Sequence, residues 1–361
     1  MTASEKMPFT VDPTAPLLNY WRKPVAEVAS VDMGAAAPGL TDDAVKERHR
    51  IFCFLLMAII RRFWNGNKRG PMGLYPAREK QKLASQDGNL SYFRYKGDML
   101  KTGDNYRINW DRYLGHNIAC IAVDGNGEVI DFDFNHNDFF RSSAEHAEAR
   151  MVRRLFSLTS ISDGWKTGQR IPERSRAFSL KEVTLYTSLE SCAQCSGIMS
   201  LGRVKQVIFL QNDPGTYAIG NIMYNLAGSD PSDQSSMSPL PIPSALVGLG
   251  QFDALNAAYA NFCATLRAAK AQQDKGHAFY VSPDQSTIDY ESSITSFLCT
   301  DAAYDIFDAG TATFETLTLK HPTAKNPAVD GSWTNAKCLE GARQFYKYAD
   351  VEGFRGSPHR V

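Results

Sequence analysis

The sequence predicts a layered α/β domain built on a mixed sheet, and three observations carry that expectation. A hairpin is written into Asn117 to Phe134, where two apolar runs flank the turn Asp124-Gly125-Asn126-Gly127. Two more short apolar runs, Val183 to Thr187 and Val204 to Leu210, are separated by a stretch that starts a helix near Cys192. Another helix falls between the hairpin and the first of these runs. Strand, helix, strand, helix, strand in sequence places helices against a sheet.

The elements follow in order. Residues 1–40 carry several prolines and little periodicity, ending in Ala35-Ala36-Ala37-Pro38-Gly39, and read as a surface arm. From Thr41, Val45, Phe52, Leu55, Leu56, Ile59, Ile60 and Phe63 recur at helical spacing, with Thr41 or Asp42 available as cap. Residues 67–115 are mixed and aromatic and yield no firm assignment. In the second hairpin strand Ile130, Phe132 and Phe134 share one face, while Asp131 and Asp133 share the other. Ser142 opens the next helix, with Glu145 at capping-box spacing. Residues 158–180 read as a polar loop, and so does the Ser- and Pro-rich stretch 227–243. Residues 250–272, 287–307 and 335–349 read as helices.

Composition narrows the class. Among 361 residues, 43% are hydrophobic and 22% charged, which is ordinary for a globular protein. The formal net charge is zero, so nothing global announces a polyanionic partner. The seven cysteines (53, 120, 192, 195, 263, 299, 338) are sparse and odd in number, which argues against a disulfide framework and for a reducing, cytoplasmic setting. The N-terminus has no secretory pattern. The most apolar run, Ile51 to Ile60, is too short to cross a bilayer and reads as a buried helix, so no membrane association is expected.

The chemistry concentrates at two places. His146-Ala147-Glu148 lies on one helix, and Ser191-Cys192-Ala193-Gln194-Cys195 lies at the start of another, directly after a strand. One imidazole and two thiolates with no fourth protein ligand nearby form the open, catalytic pattern of a Zn2+ site. A helix N-terminus favours the thiolates that the metal needs. Glu148 stands two residues from His146, so it can lie beside the metal without binding it and move protons as general acid and base. Taken alone, a CxxC pair or an HAE triplet says little. Together, in this order and context, they match the signature of the zinc deaminases.

On these residues the chain resembles the zinc-dependent cytidine deaminase-like superfamily, most of all its tRNA adenosine deaminase branch. Leu185-Tyr186-Thr187-Ser188-Leu189-Glu190 before the cysteines carries the likeness further, and so does Cys195-Ser196-Gly197-Ile198-Met199. Asp213-Pro214-Gly215-Thr216 and Gly220-Asn221-Ile222-Met223 extend it. The match is good over residues 116–226. It implies a three-layer fold with helices on both faces of a mixed sheet. A deaminase domain would then occupy 41–272, with insertions at 67–115 and 158–180, and a helical extension would occupy 273–361. It further implies zinc on His146, Cys192 and Cys195, proton transfer by Glu148, substrate contacts by Asn135 and Ala147, and association as a homodimer. Asn135 stands eleven residues before His146, where the branch places a base-contacting asparagine, although asparagine is equally at home in a turn after a strand.

Three departures stand out. Ser191 occupies the position of the family proline, and serine can cap a helix there instead. The 46 residues from His146 to Cys192 exceed the spacing of bacterial tRNA enzymes. Residues 67–115 and 273–361 have no recognised counterpart.

The substrate is open between two classes. An adenosine in tRNA or another RNA, flipped into the pocket, is supported by ten Lys or Arg against two acids between Lys46 and Lys82, interleaved with Phe63, Trp64 and Tyr75. Within that stretch Arg61, Arg62, Lys68 and Arg69 are the candidate phosphate contacts. The same charges also fit a solvated helix face. A free nucleoside, nucleotide or base of adenine, cytosine or guanine type is the alternative, with the insertions as lids. A non-catalytic scaffold is disfavoured by the retention of Glu148 with all three ligands.

Overall fold

The computed structural model describes residues 23–64, 117–137, 142–156, 180–227, 238–273, 293–298 and 300–353. Residues 67–115, all of 158–180 except the last residue, Lys68 and Arg69 lie outside the described residues. Short helical turns at Val25–Val28 and Met33–Ala36 lead into α1 (Asp43–Arg62). The strands are β1 (Ala119–Val123), β2 (Val129–Phe134), β3 (Thr184–Thr187), β4 (Gln206–Phe209) and β5 (Leu240–Pro243). Helix α2 begins at residue 147, after β2, and is described through residue 156. Helix α3 (Ala193–Gly202) joins β3 to β4, and α4 (Ile219–Leu226) lies between β4 and β5. Helices α5 (Gly250–Gln273), α6 (Asp301–Thr316) and α7 (Asn335–Gly353) follow.

The five strands form one mixed sheet in the order β2-β1-β3-β4-β5. β1 runs antiparallel to both neighbours, whereas β3, β4 and β5 are parallel. Alternation along each strand sorts side chains into two cores. Cys120, Ala122, Leu185 and Val207 pack with Ala147, Met151, Val152 and Leu155 of α2 and Met199 of α3. Ile121, Val123, Tyr186, Ile208 and Ile242 point the other way, into a core shared with α1 and the C-terminal helices. The result is the expected three-layer α/β arrangement, with a helical C-terminal region.

The apolar run in α1 is a buried helix, as its length predicts. Every residue from Ile51 to Ile60 is buried, and Phe297, Tyr304, Phe307 and Phe314 belong to the same core. Gly310 of α6 lets that helix approach closely, because a Cβ there would lie 2.6 Å from Met57 Sδ. Asp42 caps α1 through Ala44 N (2.8 Å).

The first turns of α1 carry buried polar groups, each with partners. Glu47 accepts from Lys320 N (2.6 Å), His321 N (2.9 Å) and Asn335 Nδ2 (3.3 Å). Arg48 donates to the carbonyls of Asn126 and Trp333. His49 Nδ1 meets Tyr186 Oη at 2.8 Å, and burial lowers the imidazole's pKa to about 3, so the ring is neutral.

The two faces of β2 behave as their alternation predicts. Phe132 and Phe134 pack on Phe63, while Asp131 and Asp133 meet arginines of α2. Asp133, fully buried, takes Arg150 Nε and Arg154 Nη1, each at 3.2 Å, and Arg154 Nη2 reaches Asp131 at 2.7 Å. Buried carboxylates persist only with such partners.

Three readings change. Helix α2 starts at residue 147 and not at Ser142, whose hydroxyl instead accepts from Ala144 N in the preceding turn (3.2 Å). The stretch 227–243, expected as loop, ends in strand β5. As an edge strand β5 tolerates Pro241 and Pro243, because Leu240 N faces the sheet (Leu240 N to Lys205 O, 3.2 Å) and the alternate positions face away. Residues 294–316 hold two helical pieces, and Thr300 starts the second by accepting from Ala303 N (3.2 Å).

Glu47→Ala should destabilise the protein by about 3 kcal/mol, because it strips the acceptor from buried donors. Urea unfolding monitored by tryptophan fluorescence checks this, and a change under about 1 kcal/mol would contradict the role given to Glu47.

Candidate metal and catalytic site

Two helix N-termini converge at one end of the sheet. At the end of β2 the chain turns, and Asn135 Oδ1 accepts the N–H of Ala147, the first residue of α2, at 2.8 Å. His136 N bonds to Glu145 O (2.8 Å), closing the same turn. His136 is fully buried, and burial lowers its pKa to about 4. Arg150 and Arg153 grip Glu145, each at 2.8 Å. His146 is thereby fixed one residue ahead of α2.

The second helix end is α3. Cys192 is its N-cap in extended conformation, and Cys195 lies in its first turn. Gln194 Nε2 donates to Ala144 O (2.7 Å), tying this end to the turn before α2. Both positive helix ends therefore face the thiols.

His146, Cys192 and Cys195 come together, with donor atoms all within 4.8 Å of one another. His146 Nδ1 lies 3.4 Å from Cys192 Sγ and 3.5 Å from Cys195 Sγ. A tetrahedral zinc with bonds of about 2.3 Å to sulfur and about 2.0–2.1 Å to nitrogen needs a sulfur–nitrogen separation of about 3.5 Å. The donor set fits that ion in both spacing and chemistry. Among the described residues this is the one cluster of His, Cys, Asp and Glu able to hold a metal.

The three donors also perturb one another. The Cys192 thiol is drawn down to about 4, chiefly by the hydrogen bond from Cys195, with His146 adding to it. Cys195 is pushed up by the same partnership, and by burial. The hydrogen bond with Cys192 raises His146.

Glu148 is 3% exposed, and burial raises its carboxyl above the ordinary range. Its Oε1 accepts from Thr187 Oγ1 (3.0 Å) and Ser191 Oγ (3.2 Å), and its Oε2 lies 3.4 Å from Cys195 Sγ. A buried acid with a raised pKa beside a metal donor set is equipped for proton transfer.

Sequence reasoning missed the two hydroxyls on Glu148, because 39 and 43 residues separate the partners. It also missed how the loop beyond β4 is held. Glu190 Oε2 accepts from Asp213 N (3.1 Å), and Asp213 Oδ1 accepts from Gly215 N (2.8 Å). Burial raises both carboxyls. Two successive left-handed residues follow, Tyr217 (φ 53°) and Ala218 (φ 54°), and Tyr217 is 80% exposed.

Of the basic cluster, Arg61 and Arg62 are among the described residues. Arg61 pairs with Asp308 of α6 at 2.8 Å, and Arg62 pairs with Asp350 of α7. No helix among the described residues is long and apolar enough to cross a membrane.

No family model and no curated protein matches the chain. Among solved structures, it is similar to one from "Biochemical and Structural Studies of A-to-I Editing by tRNA:A34 Deaminases at the Wobble Position of Transfer RNA". That alignment has 22% identity, covers 35% of this chain and 82% of that one, and gives a TM-score of 0.23.

Proposed function

We propose that this chain is a zinc-dependent hydrolytic deaminase of a nucleobase amino group, acting on adenosine in tRNA or another RNA. The single observation that carries the reading is the set of three donors at zinc spacing with a buried, non-ligating Glu148 beside them. His146, Cys192 and Cys195 would hold the metal, which activates a water for attack on the ring carbon when bound.

The chain's own groups do the rest. Glu148 carries one proton from the attacking water to the ring nitrogen, and a second, from the hydroxyl added to the ring carbon, to the amine, which leaves as ammonia. Asn135 Oδ1 already accepts from Ala147 N, and its Nδ2 is the donor that a base contact by this residue would use. Exposed Tyr217, on the loop that leaves Asp213, offers a face on which a neighbouring base can stack. Arg61, Arg62, Lys68 and Arg69 remain the proposed phosphate contacts, cytoplasm the proposed compartment and a homodimer the proposed assembly.

A second reading takes a free nucleoside, nucleotide or base. It is favoured by the pairing of Arg61 and Arg62 with Asp308 and Asp350, which offsets their charge within the chain.

Three outcomes are expected. Glu148→Ala keeps about one zinc per chain while turnover falls by at least ~10²-fold. Metal analysis alongside assays on adenosine, cytidine, guanine and bulk tRNA checks this, and comparable activity in the variant would sink the proton-transfer role. Cys192→Ala and Cys195→Ala should lose both the zinc and thermal stability, since metal binding here is coupled to folding. An unchanged Tm and zinc content would mean that the thiols are not the site. Finally, KM for tRNA should rise steeply between low and moderate salt, and Arg61→Ala with Arg62→Ala should flatten that slope by up to about two units. Efficient turnover of the free nucleoside, with none on RNA at low salt, would select the second reading.

A further inference from the structure

We propose that Thr187 and Ser191 are positioning residues that confine proton transfer by Glu148 to one carboxylate oxygen, Oε2. The inference rests on the reading of Glu148 as the proton carrier.

Both hydroxyls donate to the same atom. Thr187 Oγ1 lies 3.0 Å and Ser191 Oγ 3.2 Å from Glu148 Oε1. The three side chains are buried, at 0%, 4% and 3% exposure, so water does not compete for that oxygen. A carboxylate oxygen offers about two lone pairs, and two donors fill them. Oε2 is turned to the metal donors, 3.4 Å from Cys195 Sγ. The terminal torsion of a glutamate is broad and roughly two-fold, so an untethered carboxylate would present either oxygen. Here the tether removes that freedom. In each of the two transfers Glu148 accepts a proton on Oε2 and releases it from the same atom to the substrate, so the carboxylate is regenerated.

The donors are themselves held. Thr187 ends β3 and is paired in register with Cys120 of β1 and Phe209 of β4. Ser191 immediately precedes the Cys192 cap, and its carbonyl accepts from Ser196 Oγ (3.4 Å). It stands where the resembled family has a proline, which has no hydroxyl to give. The serine is a departure with a chemical use.

The test compares Thr187→Val, Ser191→Ala, the double variant, Ser191→Thr and Glu148→Ala. Steady-state kinetics on adenosine and on bulk tRNA are combined with zinc content and crystal structures of each variant. The double variant should lower kcat about tenfold or more at unchanged KM and zinc content. Its Glu148 carboxylate should adopt more than one orientation. Ser191→Thr, which keeps a hydroxyl, should recover most of the loss seen in Ser191→Ala. An unchanged kcat, or a carboxylate that keeps one orientation without either hydroxyl, overturns the inference. So does a loss that tracks zinc content or Tm and is not recovered by threonine. If Glu148→Ala stays active, the proton-carrier reading fails first. If Glu148→Ala is inactive while the double variant is unaffected, only the positioning role fails.

Discussion

The site depends on one hydrogen bond, from the N–H of Ala147 to the side-chain oxygen of Asn135, at 2.8 Å. A helix leaves its first N–H groups unpartnered, and a buried end needs an acceptor from elsewhere. Asn135 supplies it from the end of β2, so the last sheet residues decide where α2 begins. With that start fixed, His146 stands just before the helix and Glu148 lies within its first turn. Asp133, two residues earlier, holds Arg150 one turn further along. One short strand end thus sets both the position and the rotation of the helix that carries half the site.

Much of this was legible in the sequence, because its signals are local. The hairpin turn, the strand alternation, the Asp131 and Asp133 face and the HAE and CxxC segments each span only a few residues. What was not legible depends on distant partners or on rules that context overrides. Ser142 has the capping-box spacing, yet Asn135 wins as acceptor because the strand delivers it to the helix start. Prolines argued against a strand at 240–243, yet an edge strand needs only the N–H groups on its inner side. Arg61 and Arg62 looked like solvent-facing charge, and their partners are 247 and 288 residues away. No spacing rule reaches that far.

The candidate metal ligands and Glu148 sit in opposite environments. Cys192 and His146 sit at helix ends whose dipoles favour a thiolate, whereas Glu148 is drawn inward, where burial favours its neutral form. Opposite demands are thus met within one turn of helix on each side. The hydroxyls of Thr187 and Ser191 make the buried ionised form tolerable.

The burial of α1 also bears on the order of events during synthesis. Its apolar residues are covered by α6 and α7, and its first turns are bonded to Lys320, His321 and Trp333, over 270 positions downstream. At typical elongation rates the ribosome needs on the order of tens of seconds to deliver those partners. Throughout that interval ten consecutive apolar residues wait without their native cover. A chain whose central helix is made early and enclosed late folds slowly by topology and invites chaperone capture while nascent.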